Sequence, residues 1–105
     1  MKLFTLYIGC AEAFDPVLRI LYPRFDSFTF LHGEGVFRGG REPVLLVRIA
    51  TEDGGAVIAA AEHIRAELDQ VGVGIEYGGR YYRLRQDDPA SALQRVLAGA
   101  EGRVA

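Results

Sequence analysis

The chain has one cysteine, one methionine, no tryptophan and only two histidines among its 105 residues. A single thiol cannot form an intramolecular disulfide, so the core has to hold without covalent staples, and a reducing compartment is expected. Three soft metal ligands in all, Cys10, His32 and His63, barely meet the needs of even a catalytic zinc site. No metal and no cofactor is expected. Long apolar runs are also missing, so no segment is expected to span a bilayer. MKLFTLYIG at the start reads as a strand, not as a secretory leader, and a cytoplasmic location is expected. A net basic excess is missing as well. The net charge is −2, which disfavours a general nucleic-acid binder. What base there is takes an unusual form, since Lys2 is the only lysine beside eleven arginines. Guanidinium forks suit phosphate and carboxylate, although a GC-rich coding bias gives the same composition.

What is present is ordinary globular composition, half hydrophobic and a quarter charged. A chain of this length makes one core. Leu3 to Ile8 is rich in aromatic and β-branched residues and predicts a first strand ending at Gly9. Asp15-Pro16 predicts a helix start, with Asp15 as N-cap, running to about Tyr22 before Pro23 stops it. Ser27 to Leu31 alternate as a second strand, and Gly33 and Gly35 suggest a bulge or bend before Val36 and Phe37. Val44 to Ala50 is almost continuously apolar, interrupted by Arg48, and predicts a central strand covered on both faces for most of its length.

Thr51-Glu52-Asp53 caps a second helix, about Gly55 to Val71, in which Val57, Ala61, Ile64, Leu68 and Val71 form one stripe ended by Gly72. Gly78-Gly79 joins Val73–Tyr77 to Arg80–Arg85 as a two-residue hairpin. That loop length sets Tyr77 against Arg80, Glu76 against Tyr81, Ile75 against Tyr82 and Val73 against Leu84. Val73, Ile75, Tyr82 and Leu84 then face the core, and Glu76, Tyr81, Arg83 and Arg85 face away. Asp88-Pro89 begins a short third helix with Leu93, Val96 and Leu97 on one side, closed by Gly99. Residues 1–98 are expected to form the domain and 99–105 a flexible tail.

The order β-α-β-β-α-β, with an added hairpin strand and a terminal helix, predicts an α+β, ferredoxin-like split β-α-β sandwich with helices on one sheet face. The other face is left open, and Thr29 or Phe28, Arg48, Tyr81 and Arg83 are expected on it. An exposed face with aromatics invites a ligand or a second subunit, so a homo-oligomer is expected.

LYIG (6–9), YPRF (22–25), FTFLHGEGVF (28–37) and REP-VLLVRI (41–49) together resemble an uncharacterised bacterial domain-of-unknown-function family. Phe37 stands where that family usually has Trp, and Pro43-Val44 replaces its usual polar residues. The resemblance implies the fold and carries no assigned chemistry. A looser likeness, of topology alone, is to nitrogen-regulatory PII-type proteins, which have a functional loop between the second and third strands.

Two clusters are candidates for binding. In FRGGREP (37–43), Gly39 and Gly40 can turn their N–H groups inward as an anion nest between Arg38 and Arg41, or form a polar tip facing water. In the second hairpin, Arg80, Tyr81, Tyr82, Arg83 and Arg85 can stack on a base and fork onto a phosphate, or can charge a sheet edge against unwanted pairing. Together they suggest a non-enzymatic, oligomeric protein that binds a small anionic ligand, such as a signalling nucleotide, between the two hairpins. An alternative is a small enzyme of the dimeric α+β barrel kind, with Tyr7, His32 or Tyr82 in an apolar cavity. A third is a protein–protein module using the open sheet face. No catalytic set is expected. Cys10, His32 and Glu34 as metal ligands, a Cys10–His32 nucleophile pair, and paired acids among Asp26, Glu34 and Glu42 each have a simpler structural reading as a buried thiol or solvated turn residues.

Overall fold

The computed structural model describes residues 1–9 and 14–102. Expectations that involve Cys10 therefore fall outside the described residues, as do those for residues 103–105.

β1 (Lys2–Ile8) occupies the middle of a five-stranded sheet. α1 (Phe14–Leu21) follows, then β2 (Phe28–Phe37) and β3 (Gly40–Thr51), α2 (Gly54–Glu67), β4 (Gly72–Tyr77), β5 (Arg80–Arg85) and α3 (Ser91–Gly102). The strand order is β2-β3-β1-β4-β5, and every neighbouring pair is antiparallel. This is the ferredoxin-like arrangement with one strand and one helix added.

Strand periodicity sorts the side chains by face. Phe4, Leu6 and Ile8 of β1, Leu45, Val47 and Ile49 of β3, and Val73 and Ile75 of β4 are buried beneath the helices. They meet Val17, Ile20 and Leu21 of α1, Val57, Ala61 and Ile64 of α2, and Leu93 and Leu97 of α3. Burial of each such large side chain contributes roughly 1.5–3 kcal/mol. Gly54 allows α3 to approach closely, because a Cβ there would press on Leu97 and on the Phe4 ring.

The second hairpin follows the expected register, pair for pair, and its turn glycines have φ of +61° and +78°. Elsewhere the structure departs from expectation. β2 has no bulge: its pairing with β3 runs unbroken from Phe28–Ile49 to Phe37–Gly40, with Gly33 and Gly35 inside the ladder. The FRGGREP stretch is not a long loop. The turn is Arg38-Gly39 alone, both at positive φ, and Gly40 to Pro43 already belong to β3. β3 is covered on one face only, since Arg48 and Ala50 are exposed on the other.

α2 ends at Glu67, with Asp69 in the left-handed region, so the Gly72 stop is not used and Val71 lies 80% exposed, off the core stripe. Its N-cap is as expected, the Ala56 N–H donating to Asp53 Oδ1 at 2.9 Å. Asp15 sits inside the first turn of α1, one residue after the helix begins. α3 starts two residues beyond Pro89, passes Gly99, and leaves Val96 partly exposed.

The β2–β3 ladder is longer than its neighbour. Among the described residues β1 pairs with β3 only as far as Ile8–Leu45, and residues 33–44 continue past that point as a β2–β3 ladder. Pro43 faces the side where, among the described residues, no third strand pairs, so its missing N–H breaks no ladder bond there.

Candidate functional site

The open sheet face is built from alternate residues of all five strands. Thr5 pairs with Arg48 on one side and Glu76 on the other, and Tyr81 is opposite Glu76. One row across the sheet thus carries a guanidinium, a hydroxyl, a carboxylate and a phenol. Arg48 and Glu76 are two strands apart, about 10 Å between backbones. One step along β1, Tyr7 reaches diagonally, and its hydroxyl donates to Glu76 Oε1 at 2.6 Å. That hydrogen bond raises the Tyr7 pKa above the usual phenol value, with burial and the Glu76 charge adding to it and Arg48 opposing it.

The Tyr81 ring meets the Tyr7 ring edge-on, with centroids 5.8 Å apart and planes at 62°. It lies across Gly74 at a depth that leaves no room for a Cβ there. Arg83 likewise lies over Gly72, its Nε 2.9 Å from where a Cβ would stand. Glycine at alternate positions of β4 therefore lets the side chains of the edge strand fold inward over the sheet.

Two open grooves meet at Tyr7. One, about 650 Å³, is lined by Leu3, Thr5, Leu31, Leu46, Arg48 and Glu76 beside it. The other, about 450 Å³, has Gly9, Gly35, Gly72 and Gly74 along its floor and Val44, Phe37 and Arg83 around it. Arg48 and Arg83 have no ion pair among the described residues.

The candidates expected from sequence separate. From Phe4, opposite Tyr77, to Ile8 is four residue steps, and from Leu45 to Gly40 another five. At ~3.3 Å per step the two hairpin turns lie roughly 30 Å apart, at opposite ends of the sheet. Arg38 and Arg41 therefore share no pocket with residues 80–85 within one chain. Gly39 and Gly40 form no nest, because Gly40 opens the strand and pairs with Phe37. Arg41 is bonded to Glu34 across the β2–β3 ladder, and Arg38 lies 5.2 Å from the Phe37 ring centroid.

The 80–85 cluster divides between the two faces. Tyr82 is buried in the core, with Arg80 5.9 Å from its ring centroid, on the helix side. Tyr81, Arg83 and Arg85 are on the open face, but Arg85 turns to Asp87 at 3.6 Å. Arg48, Tyr81 and Arg83 are on the open face as expected, with Thr29 as the β2 member; Phe28 packs on the helix side against Tyr22. His32 stands against Phe14 with ring centroids 5.4 Å apart, and Arg24 Nη2 donates a hydrogen bond to His63 Nδ1 at 3.2 Å. No cluster of three metal-ligating side chains occurs among the described residues. None of their helices is long and apolar enough to cross a membrane.

Sequence reasoning left Tyr7 and Glu76 out of the binding set. The hairpin register placed Glu76 on the open face, but its meeting with Tyr7 needs β4 beside β1, a pairing between segments some seventy residues apart.

No family model matches the chain, and no curated protein matches it. Among solved structures, a phage SAM lyase in its apo state is similar, with a TM-score of 0.61 and 17% sequence identity over 80% of this chain and 88% of that one. At that identity the likeness is one of fold.

Proposed function

We propose that the protein binds a small nucleoside-type ligand carrying an acidic group, in the open-face groove beside Tyr7. The observation that carries the reading is the Thr5 row, with Arg48 and the Tyr7-bonded Glu76 on either side of one groove. Arg48 offers a fork to a carboxylate or phosphate. Glu76 offers an acceptor to an amine or a counter-charge to a sulfonium, and Leu31, Leu46 and the Tyr7 ring offer apolar surface to a base. The groove volume falls in the ordinary range for small-molecule sites.

S-adenosylmethionine has all three features, and the fold neighbour is named for acting on it, which makes it the first ligand to try. This keeps the expectation of a nucleotide-like ligand and of Tyr81 and Arg83 at its edge, and moves the centre from the hairpin tips to the middle of the sheet.

A thermal-shift series with S-adenosylmethionine, S-adenosylhomocysteine and adenosine tests it. A ligand at a hundred times its Kd adds about 2.7 kcal/mol of stability. The expected result is stabilisation by the two amino-acid-bearing compounds, reduced for adenosine and lost in Arg48→Ala. No stabilisation by any of them at millimolar concentration overturns the reading.

A second reading, a lyase, is favoured by one observation: a phenol hydrogen-bonded to a carboxylate is suited to proton transfer. Chromatography of the same S-adenosylmethionine samples separates the two, since a binding protein returns the ligand intact.

A further inference from the structure

The two edges of the sheet are treated differently. β5 carries Arg80, Arg83 and Arg85 in six residues, a charge density that discourages strand addition. β2, the opposite edge, is ten residues long with a single charged residue, Glu34, and has no proline and no bulge. Phe30, Leu31, Val36 and Phe37 on it are exposed, Val36 by 74%. A long, unblunted, apolar edge is a template for another strand.

The backbone specifies which residues are available. The Arg38-Gly39 turn closes on Phe37 and Gly40, so odd-numbered residues of β2 exchange hydrogen bonds with β3. The even-numbered ones, Phe28, Phe30, His32, Glu34 and Val36, direct N–H and C=O outward. Among the described residues no strand pairs with them along that edge, which leaves these groups to water or to a strand from another copy.

We propose that β2 pairs antiparallel with β2 of a second copy about a two-fold axis at Gly33, joining two five-stranded sheets into one. In this register Phe30 meets Val36 of the second copy and His32 meets its Glu34, each contact made twice by symmetry. All four are outward-bonding positions, so the ladder hydrogen bonds form at those pairs. An aromatic faces a β-branched side chain and an imidazole N–H faces a carboxylate, both favourable cross-strand pairs. On the other face Leu31 covers Gly35, and Gly33 meets Gly33 without steric conflict. The sequence FTFLHGEGVF is thus complementary to itself reversed. The interface shares Leu31, Gly35 and Phe37 with the rims of the two grooves, but it rests on the edge strand alone and its test reads association, not ligand binding.

Sedimentation equilibrium and cross-linking test it together. The wild-type protein is expected to sediment as a dimer. His32→Glu sets two carboxylates against each other twice over and weakens the dimer by about tenfold. Adding Glu34→His to His32→Glu exchanges the partners and restores it, while circular dichroism reports on the fold of each variant. In a Cys10→Ser background, Gly33→Cys places two thiols at the axis and is expected to oxidise to a covalent dimer. The new Cβ fits, 3.6 Å from Leu46 Cδ1. Thr29→Cys, off the axis, is expected to stay uncross-linked. A monomer at high micromolar concentration, a dimer indifferent to His32→Glu, or equal cross-linking at both positions overturns the proposal.

Discussion

The Tyr7 hydroxyl donates to Glu76 Oε1 across the β1–β4 boundary, at 2.6 Å on the uncovered side of the sheet. Here a partly exposed phenol is held by an acid on the neighbouring strand, between two grooves, with a second tyrosine packed edge-on against it. This pair fixes the site's geometry, and its titration can be observed.

Tyr7 should deprotonate above the ordinary phenol value of about 10, because Glu76 bonds its protonated form. A raised folded-state value means that the protonated phenol stabilises the native state. That contribution is present below the unfolded value and is lost as pH rises through the folded one. Spectrophotometric titration of tyrosinate should show a late-titrating component from Tyr7, absent in Tyr7→Phe and moved down in Glu76→Gln. A late group that persists in Tyr7→Phe contradicts the assignment.

Gly74→Ala should destabilise the protein by about 1–3 kcal/mol, the usual cost of overpacking, because the Tyr81 ring occupies the space a methyl needs. Urea unfolding measures this. In Gly74→Ala combined with Tyr81→Ala most of the loss should be recovered, since the obstruction has been removed. Equal destabilisation in both would show that Tyr81 is not the obstacle.

Acid sensitivity should include Asp88. The Ser91 N–H and hydroxyl both donate to its Oδ1, at 2.9 and 2.8 Å, and hold its pKa below the usual carboxylate value. The cap's contribution is present above the unfolded value and is lost as pH falls through the folded one. Melting temperature followed from pH 5 downward, through the ordinary aspartate value of about 3.9, should fall less steeply in Asp88→Asn. An unchanged slope would count against a role for this cap.

Local signals carried much of the fold. Gly78-Gly79 fixed the second hairpin because a two-residue turn leaves one register, and Asp53 fixed the start of α2 because its carboxylate finds the Ala56 N–H wherever the helix packs. Gly33 and Gly35 misled for a physical reason. A glycine in a strand can mark a bulge or simply an uncrowded rung, and only the partner strand decides between them. The end of α2 misled in the same way, since Asp69 adopts the left-handed conformation that Gly72 was expected to supply.

The site was legible only in pieces. Arg48, Tyr81 and Arg83 could be assigned to the open face by alternation. The pairing of the two hairpins failed because it treated arginines close in composition as close in space. The sheet order puts their turns at opposite ends, and no local pattern reports that distance.

The most direct test of the ligand proposal is a nuclear magnetic resonance titration of the isotope-labelled protein with S-adenosylmethionine, followed through the backbone amides. The account predicts saturable shifts centred on Thr5, Tyr7, Leu46, Arg48, Glu76 and Tyr81, with little change at Arg38 to Arg41. Saturable shifts centred on the Arg38–Arg41 turn, or none anywhere at millimolar ligand, would contradict it.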